Sequence, residues 1–404
     1  MSSLLRTRWL VALGVGVVVV VVATVLVVRG SAAAPAVPTT ADHQAEEAAS
    51  ALITAYYSPS AGLLAQTPPS SGETYGPPSE KDTLFGVAQF TPTTVWDFAC
   101  GLAGLEDVAQ LPGGTSELSY VRTLATNLSA YWDAQAPVPG YAPTVHPSAH
   151  ATKYFDDNAW VGLDLVEAYR LTKDPAYLTQ AEAVFRYEES GWDPNGGGIY
   201  WNDQHITRNT PSNAPVAELG TYLYMLTHQS TYLDWAERIY NWEIQTLVNP
   251  TTGEVLDHID PSGHINTAYW TYNQGTVIGS SVLLYEVTHQ ASYLRQAEKT
   301  AAYTLQHGVQ ANGVFVAQPQ FNGILADNLE LLYQVTRNPA ISAAIARNVA
   351  SALAHDRNAE GLFGSNWAGP VPTADVPILT DSGAVRLLAV NAILAHGGFP
   401  AFSL

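Results

Sequence analysis

The chain has 404 residues, of which 36 are acidic and 17 are lysine or arginine, and its formal net charge is −19 at pH 7. Such a negative charge repels phosphate backbones, and no basic stretch counters it, so nucleic acid is excluded as a partner. The only cysteine, Cys100, excludes an intramolecular disulfide and a cysteine-based zinc or iron–sulfur site. Charged residues make up 13% of the chain, about half the usual share, which indicates a secreted surface wetted by neutral polar residues.

The N-terminal segment has the features of an export signal. Two arginines precede an uncharged apolar stretch over residues 10–28, and small residues follow at 31–34. The stretch is long enough to span the roughly 30 Å hydrocarbon core of a membrane, while the small residues suit a signal peptidase. We therefore expect residues 1–33 to be a signal peptide or an N-terminal membrane anchor. Because the arginines favour the inside, we expect the protein to be extracellular or on the outer face of the cytoplasmic membrane.

Four copies of a helical repeat follow. The pattern Tyr-x-Leu/Val-Thr recurs at intervals of roughly 50 to 60 residues, and its threonines are Thr172, Thr227, Thr288 and Thr336. In three copies the pattern precedes Tyr-Leu-x-x-Ala-Glu. A polar turn such as Lys173-Asp174 ends the first helix, and a proline such as Pro175 suits the first turn of the next. Each copy therefore predicts a helical hairpin, with the repeated tyrosine and alanine as buried packing residues.

The complete pattern predicts an all-α fold with about a dozen helices. Strand-like runs are few, and those at 198–201 and 313–316 lie beside glycine, which predicts short hairpins in loops. Helical hairpins in series with long connections favour a closed toroid, in which inner helices form the core and the connections build one face. We expect this toroid to be a single domain over residues 34–404.

A pair of aspartates lies in the aromatic segment 154–160. Asp156 and Asp157 fit either the first turn of a helix, where acidic side chains bind free N–H groups, or a catalytic pair of carboxyl groups. Later segments, such as 191–201 and 269–275, are rich in aromatic and amide residues. Because aromatic rings stack on the C–H faces of sugars and amides bind their hydroxyls, these segments favour a carbohydrate site.

Five motifs, in this order, resemble those of glycoside hydrolase family 76. They are Tyr-x-Asp-Asp-Asn-Ala-Trp from Tyr154, Gly-Gly-Gly-Ile-x-Trp from Gly196, Asn-Ala-Pro from Asn213, Thr-Gly-x-Val-x-Asp from Thr252 and Tyr-Asn-Gln-Gly from Tyr272. The resemblance implies an (α/α)6 barrel and an endo-acting α-1,6-mannanase that retains anomeric configuration, with fungal relatives proposed to be cell-wall transglycosylases. By position in the first motif, it also implies Asp156 as the nucleophile and Asp157 as the general acid/base.

The chemistry of these residues is compatible with a retaining mechanism. Retaining glycosidases use two carboxyl groups about 5 to 5.5 Å apart, one ionised and one protonated. Neighbouring aspartates titrate as a coupled pair, but sequence spacing does not decide which one keeps the proton. The further candidates for binding sugar are Tyr154, Trp201, Asn213, Asp257, Tyr272, Asn273 and Gln274. Each also has a structural alternative, because rings fill cores and loop amides bind backbone groups.

The expected function is therefore a glycoside hydrolase that cleaves α-1,6-mannosidic linkages in mannan or in a mannose-containing cell-envelope glycan. We expect a monomer with a polysaccharide substrate and no cofactor. No metal is expected either, because Pro147 lies between His146 and His150 and no further ligand completes a set. Two alternatives stay open at this point, namely a transglycosylase on the same glycan and a non-catalytic carbohydrate-binding surface protein.

Overall fold

The computed structural model describes residues 38–68, 90–148, 151–373 and 375–398. The predicted signal peptide or anchor at 1–33 lies outside these ranges. The chain after Ala36 clusters as one compact unit, and its described part contains twelve α-helices. They are α1 Thr40–Tyr56, α2 Val95–Ala109, α3 Glu117–Asn127, α4 Phe155–Thr172, α5 Pro175–Ser190, α6 Ala214–Thr227, α7 Ser230–Thr246, α8 Thr271–Thr288, α9 Ala291–His307, α10 Pro319–Thr336, α11 Pro339–His355 and α12 Ile378–Ala395.

The helices form two concentric rings. The even-numbered helices pack side by side in chain order, and α12 closes the inner ring against α2. The odd-numbered helices lie outside them, with α1 packed on both α12 and α2. This arrangement is an (α/α)6 barrel and confirms the predicted all-α toroid of hairpins. Because inner and outer helices alternate along the chain, all inner helices begin at the same end of the barrel, and we call this end the cleft face.

The repeated threonines end four of the inner helices, as the sequence predicts. Each threonine is the last residue of its helix, and its hydroxyl donates to the carbonyl group four residues earlier at 2.6 to 2.8 Å. The same hydroxyl oxygen accepts the backbone N–H two residues later. The intervening residue is left-handed in all four turns, with φ between 54° and 58°. The threonine therefore caps one helix and shapes the tight turn to the next.

The other half of the repeat joins neighbouring outer helices. The Tyr232 hydroxyl donates to the Glu182 carboxylate at 3.1 Å, and the Tyr293 hydroxyl donates to Glu237 at 2.9 Å. In each pair the tyrosine of one copy binds the glutamate of the copy before it. The repeated alanines are fully buried, namely Ala181, Ala236 and Ala297. The repeat therefore serves packing, and the predicted burial is confirmed for the alanines and for Tyr177 and Tyr293, whereas Tyr232 is only half-buried.

Seven two-residue strands lie in the long connections of the described chain. They are β1 Tyr57–Ser58, β2 Leu63–Leu64, β3 Trp132–Asp133, β4 Gly140–Tyr141, β5 Arg208–Asn209, β6 His258–Ile259 and β7 Ile265–Asn266. They pair antiparallel as β1–β2, β3–β4 and β5–β6–β7. The predicted loop hairpins at 198–201 and 313–316 contain isolated bridges, namely Trp192–Ile199 and Tyr200–Arg208 in the first and Val309–Phe315 in the second. The β5–β6 pair joins the connection before α6 to the connection before α8 at the cleft face.

Helix α12 is the one helix of the described chain that is long and apolar enough to cross a membrane. However, 78% of it is buried inside the protein, where it packs against α1, α2, α10 and α11. Its apolar composition is therefore explained by its place in the inner ring, where a helix is enclosed on most sides.

A cavity of about 160 Å³ lies between the inner helices and is lined by carboxyl groups. We call it the acidic chamber, and its acidic residues are Glu106, Asp107, Asp164, Glu167, Glu218, Asp327 and Glu330. The Arg386 guanidinium lies 3.8 Å from the Asp107 carboxylate and forms an ion pair with Asp327. Burial raises the pKa of Asp327 to about 6 and that of Glu330 to about 8. Trp160 separates the chamber from the cleft described next, since it lines both.

Candidate active site

The paired aspartates lie in the first turn of α4, at the cleft face. Tyr154 is the N-cap residue of this helix and makes no side-chain capping bond, so neither aspartate is the N-cap. Acidic side chains are favoured in a first turn because the free N–H groups and the helix dipole stabilise negative charge. The N-terminus of α4 therefore places both carboxyl groups at the mouth of the barrel, where it stabilises negative charge.

Both aspartates open into a cleft of about 390 Å³. Its lining residues are Trp96, Tyr154, Asp156, Asp157, Trp160, Trp201, Asn209, Pro211, Asp257, Trp270, Tyr272 and Phe321. The Tyr154 and Trp201 rings pack with their centroids 5.0 Å apart. Another group of rings surrounds Phe321, with Tyr272 at 4.5 Å and Trp270 at 5.2 Å between ring centroids. The cleft therefore combines carboxyl groups with two aromatic surfaces, a combination that suits a sugar chain.

Asp156 is held by two N–H donors. The indole Nε1 of Trp201 donates to its Oδ2 at 2.9 Å, and the backbone N–H of Asp157 donates to its Oδ1 at 3.0 Å. Burial raises the pKa of Asp156 to about 6, while the Trp201 and backbone hydrogen bonds act to lower it. Hydrogen bonds donated to a carboxylate favour its ionised form.

Asp157 lacks such support in the described part of the chain, where no donor contacts its carboxyl group. Burial raises its pKa well above the ordinary value, and the charges of Asp156 and Asp97 raise it further. The two carboxyl groups therefore differ in environment, because hydrogen bonds favour the ionised form of Asp156 and no such bond within the described ranges does so for Asp157. The cleft therefore holds two neighbouring carboxyl groups, of which only Asp156 accepts hydrogen bonds from donors of the described chain.

Asp257 is a third carboxylate of the cleft, and its orientation is fixed by neighbours. Its Oδ2 lies 2.8 Å from the Nδ1 of His258, and its Oδ1 accepts from the Nδ2 of Asn273 at 3.2 Å. Asn273 is fully buried and does not line the cleft. Of the predicted binding residues, the structure thus brings Tyr154, Trp201, Asp257 and Tyr272 together around the aspartates, with Asn273 directly behind Asp257.

The structure does not bring Asn213 and Gln274 into the cleft. The Asn213 amide bonds both backbone groups of Ile199, accepting at 2.7 Å and donating at 3.0 Å. Gln274 does the same to Val255, accepting at 2.9 Å and donating at 2.8 Å. Both side chains are fully buried. Each amide therefore fixes the connection that precedes its helix by two hydrogen bonds to one backbone residue. Side-chain amides commonly have such a structural role.

Replacing Asn213 by alanine is expected to lower the free energy of unfolding by about 1–3 kcal/mol, because the N–H and C=O of buried Ile199 lose their partners. Thermal unfolding measures this as a lower Tm. Asn195 is an exposed asparagine of the same connection, so Asn195→Ala is the control and is expected to leave the Tm unchanged. Equal Tm values for the two variants would contradict this structural role of Asn213.

Six residues that line the cleft were not predicted from the sequence, namely Trp96, Trp160, Asn209, Pro211, Trp270 and Phe321. Trp96 is the second residue of α2, and Phe321 is the third of α10. Tyr272 and Asp156 have the same kind of position, since each is the second residue of its inner helix. An aromatic or acidic residue in the first turn of an inner helix could therefore have indicated a cleft residue. This signal can be used only when the inner helices are known.

Comparisons with known proteins identify the family and support the fold. The family model of Glycosyl hydrolase family 76 matches residues 41–386. Mannan endo-1,6-alpha-mannosidase DCW1 of Saccharomyces cerevisiae is 31% identical over 151 residues, which cover 33% of this chain and 34% of the yeast protein. The match thus spans about a third of that relative's length.

Two solved structures share the fold over most of the chain. A family 76 mannosidase from Bacteroides thetaiotaomicron has a TM-score of 0.79 at 22% identity, covering 89% of this chain and 100% of that one. An inactive variant of an alpha-1,6-mannanase from Salegentibacter, in complex with alpha-1,6-mannotriose, has a TM-score of 0.73 at 25% identity, covering 88% and 99%. With the family model matched from the first helix to the last and the five motifs gathered at one face, the chain belongs to glycosyl hydrolase family 76.

Proposed function

We propose that the protein is a retaining glycoside hydrolase that cleaves internal α-1,6-mannosidic linkages through Asp156 and Asp157. The observation that carries this proposal is the pair of neighbouring carboxyl groups in an aromatic cleft, where only Asp156 accepts hydrogen bonds from the described chain. Supporting it, the similar yeast relative is a mannan endo-1,6-alpha-mannosidase. The Salegentibacter mannanase is inactive when two neighbouring aspartates are changed to asparagine, and that variant binds alpha-1,6-mannotriose.

The chemistry would proceed in two displacements. The ionised Asp156 attacks the anomeric carbon while the Asp157 carboxyl group gives its proton to the departing glycosidic oxygen. The result is a covalent glycosyl–enzyme with inverted configuration at the anomeric carbon. Asp157, now ionised, then takes a proton from water, whose oxygen attacks the same carbon and releases Asp156. Two inversions give a product with the original α configuration.

The other cleft residues fit the binding of a sugar chain. Tyr154 and Trp201 on one side and Tyr272 on the other offer ring faces for the C–H surfaces of mannose. The Asp257 carboxylate can accept hydrogen bonds from sugar hydroxyls, and the buried amide of Asn273 fixes its direction. We propose Asn273 as a support for Asp257, acting through that residue.

The setting that we propose is outside the cytoplasm. Residues 34–404 would form a single catalytic domain that acts as a monomer, with segment 1–33 as its signal peptide or its link to the membrane. A polysaccharide of mannan type, from a cell wall or a cell-envelope glycan, is the proposed substrate. The acidic surface, with a net charge of −19, suits a neutral glycan and disfavours an anionic polymer.

Product release from a linear α-1,6-mannan tests the proposed function. We expect the purified full-length protein to release mannose oligosaccharides, with the α-anomer appearing first in the NMR spectrum. Oligosaccharides longer than the starting chains, formed after addition of a mannose acceptor, would instead indicate transglycosylation, in which a sugar hydroxyl replaces water at the same intermediate. Binding of mannan with neither hydrolysis nor transfer would reject the enzyme and support a binding protein.

A further inference from the structure

The two catalytic carboxyl groups differ in the hydrogen bonds that they receive. Each oxygen of Asp156 accepts one N–H, from the Trp201 indole at 2.9 Å and from the backbone of Asp157 at 3.0 Å. In the described part of the chain, the Asp157 carboxyl group receives none. Of the two donors, the backbone N–H belongs to the first turn of any helix, whereas the indole N–H depends on the identity of one side chain.

The Trp201 indole is held in place on several sides. The backbone carbonyl of Trp201 accepts from the backbone N–H of Phe155 at 2.9 Å, and the backbone N–H of Trp201 donates to the Thr207 carbonyl at 2.7 Å. Tyr154 forms a bridge with Asn202, and its ring packs 5.0 Å from the Trp201 ring. These contacts fasten the connection before α6 to the very turn that carries both aspartates. The donor is therefore pre-organised toward Asp156.

We propose that Trp201 is a positioning residue that selects Asp156, and not Asp157, as the ionised member of the pair. An indole N–H can donate a hydrogen bond but cannot accept one. It therefore stabilises the carboxylate form of Asp156 and cannot bind a carboxyl O–H at the same oxygen. Asp157 then keeps the proton that the leaving oxygen requires. This inference rests on the proposed function, which it deepens by giving the nucleophile and the acid a physical cause in this chain.

The consequence appears in the pH dependence of kcat/KM, which reports the pKa values of the free enzyme. Activity requires ionised Asp156, whose pKa burial raises to about 6, so the rate rises as the pH increases through this value. It also requires protonated Asp157, so the rate falls again at higher pH. Loss of the indole donor raises the pKa of Asp156 and moves the acid limb to higher pH.

The variant Trp201→Phe tests the proposal, because it removes the indole N–H and keeps an aromatic ring, and the control below makes the same reduction in ring size. We expect the acid limb to move up by roughly one pH unit, so that kcat/KM falls about tenfold on the acid side of the limb and recovers at higher pH. A uniform increase in KM with an unmoved limb would overturn the proposal and leave Trp201 as a sugar platform only.

Trp96→Phe is the matched control. Trp96 also lines the cleft, but its indole Nε1 is buried with no hydrogen-bond partner in the described chain. Removal of this N–H is expected to leave the acid limb where it is, whatever it does to KM. A limb that moves equally in both variants would overturn the role of the Trp201 donor.

A titration without substrate separates this proposal from the proposed function. The carboxyl carbon of Asp156, identified by its absence in Asp156→Asn, is followed by ¹³C NMR in the wild type and in Trp201→Phe. We expect a higher pKa for Asp156 in the variant, and equal values would overturn the proposal. A wild type that fails to cleave mannan rejects the proposed function, while the titration still decides whether Trp201 controls the ionisation of Asp156.

Discussion

Asp157→Asn is expected to lower kcat/KM on linear α-1,6-mannan by about 10²–10⁴-fold, the usual contribution of a general acid. An asparagine amide cannot give a proton to the departing oxygen. The loss is expected to be smaller on a mannoside whose leaving group is a nitrophenolate, because this anion departs without protonation. Rates on the two substrates, measured side by side, check the assignment, and an equal loss on both would contradict the role of Asp157 as the acid.

Asp156→Asn removes the proposed nucleophile, and the loss of kcat/KM is expected to be equally severe on both substrates because no covalent intermediate forms. Added azide distinguishes the two roles further. In Asp156→Ala, azide replaces the nucleophile and a single displacement gives a β-mannosyl azide. In Asp157→Ala, azide attacks the covalent intermediate, and two displacements give the α-azide. The azide anomers are assigned by NMR, and the reverse assignment would exchange the roles of the two aspartates.

Asp234→Asn serves as the control for these substitutions. Asp234 lies exposed on the outer helix α7, and its replacement makes the same change from acid to amide away from the cleft. We expect its kcat/KM to equal that of the wild type on both substrates. A comparable loss in Asp234→Asn would mean that the assay responds to net charge and not to the catalytic pair.

The parts of the fold that depend on local chemistry could be predicted from the sequence. A threonine that caps its own helix and the turn after it acts within six residues, so Thr172 and its three counterparts were recognisable as helix ends. The buried alanines, such as Ala236, follow from helical spacing in the same way. The aspartate pair was singled out as a candidate by the aromatic residues beside it and by the resemblance of its segment to a family motif, both of which are local in the sequence.

The parts that depend on distant pairing could not be predicted. Phe321 and Trp96 reach the cleft only because α12 closes the inner ring against α2, which brings α10 and α2 to the same cleft. The task of Asn213 depends on where Ile199 passes, and that is decided by packing of the whole connection. A sequence motif thus indicates that an amide has a specific role. The fold decides whether that amide binds a backbone group or a ligand.

Arg386→Met is expected to lower the free energy of unfolding by about 3–5 kcal/mol at neutral pH, the usual cost of removing one partner from a buried ion pair. Arg386 contacts Asp107 and Asp327 inside the acidic chamber. Its charge lowers the pKa of both, acting against burial, which raises the pKa of Asp327 to about 6. Without the guanidinium, these carboxyl groups must either remain charged and unpaired or keep their protons. Chemical denaturation of the wild type and of Arg386→Met measures the difference in the free energy of unfolding.

The pH dependence of this loss separates an electrostatic cause from lost packing. Buried carboxyl groups whose pKa is raised by folding bind more protons in the folded state than in the unfolded one, so their contribution is complete at acid pH and falls as the pH rises through the folded-state pKa. For Asp327 and Glu330 this range runs from about 4, the unfolded value, to about 6 and 8. Arg386→Met raises the folded-state values further, so its deficit is expected to be largest near pH 8 and to shrink toward pH 5.

Two further variants decide between these causes. Arg347 is exposed on α11, and Arg347→Met is expected to leave the free energy of unfolding unchanged at every pH. Adding Asp327→Asn to Arg386→Met removes one uncompensated carboxylate and is expected to recover part of the loss at pH 8 but little at pH 5. A deficit that is equal at both pH values, with no recovery in the double variant, would instead assign the effect of Arg386 to the packing of its side chain among the inner helices.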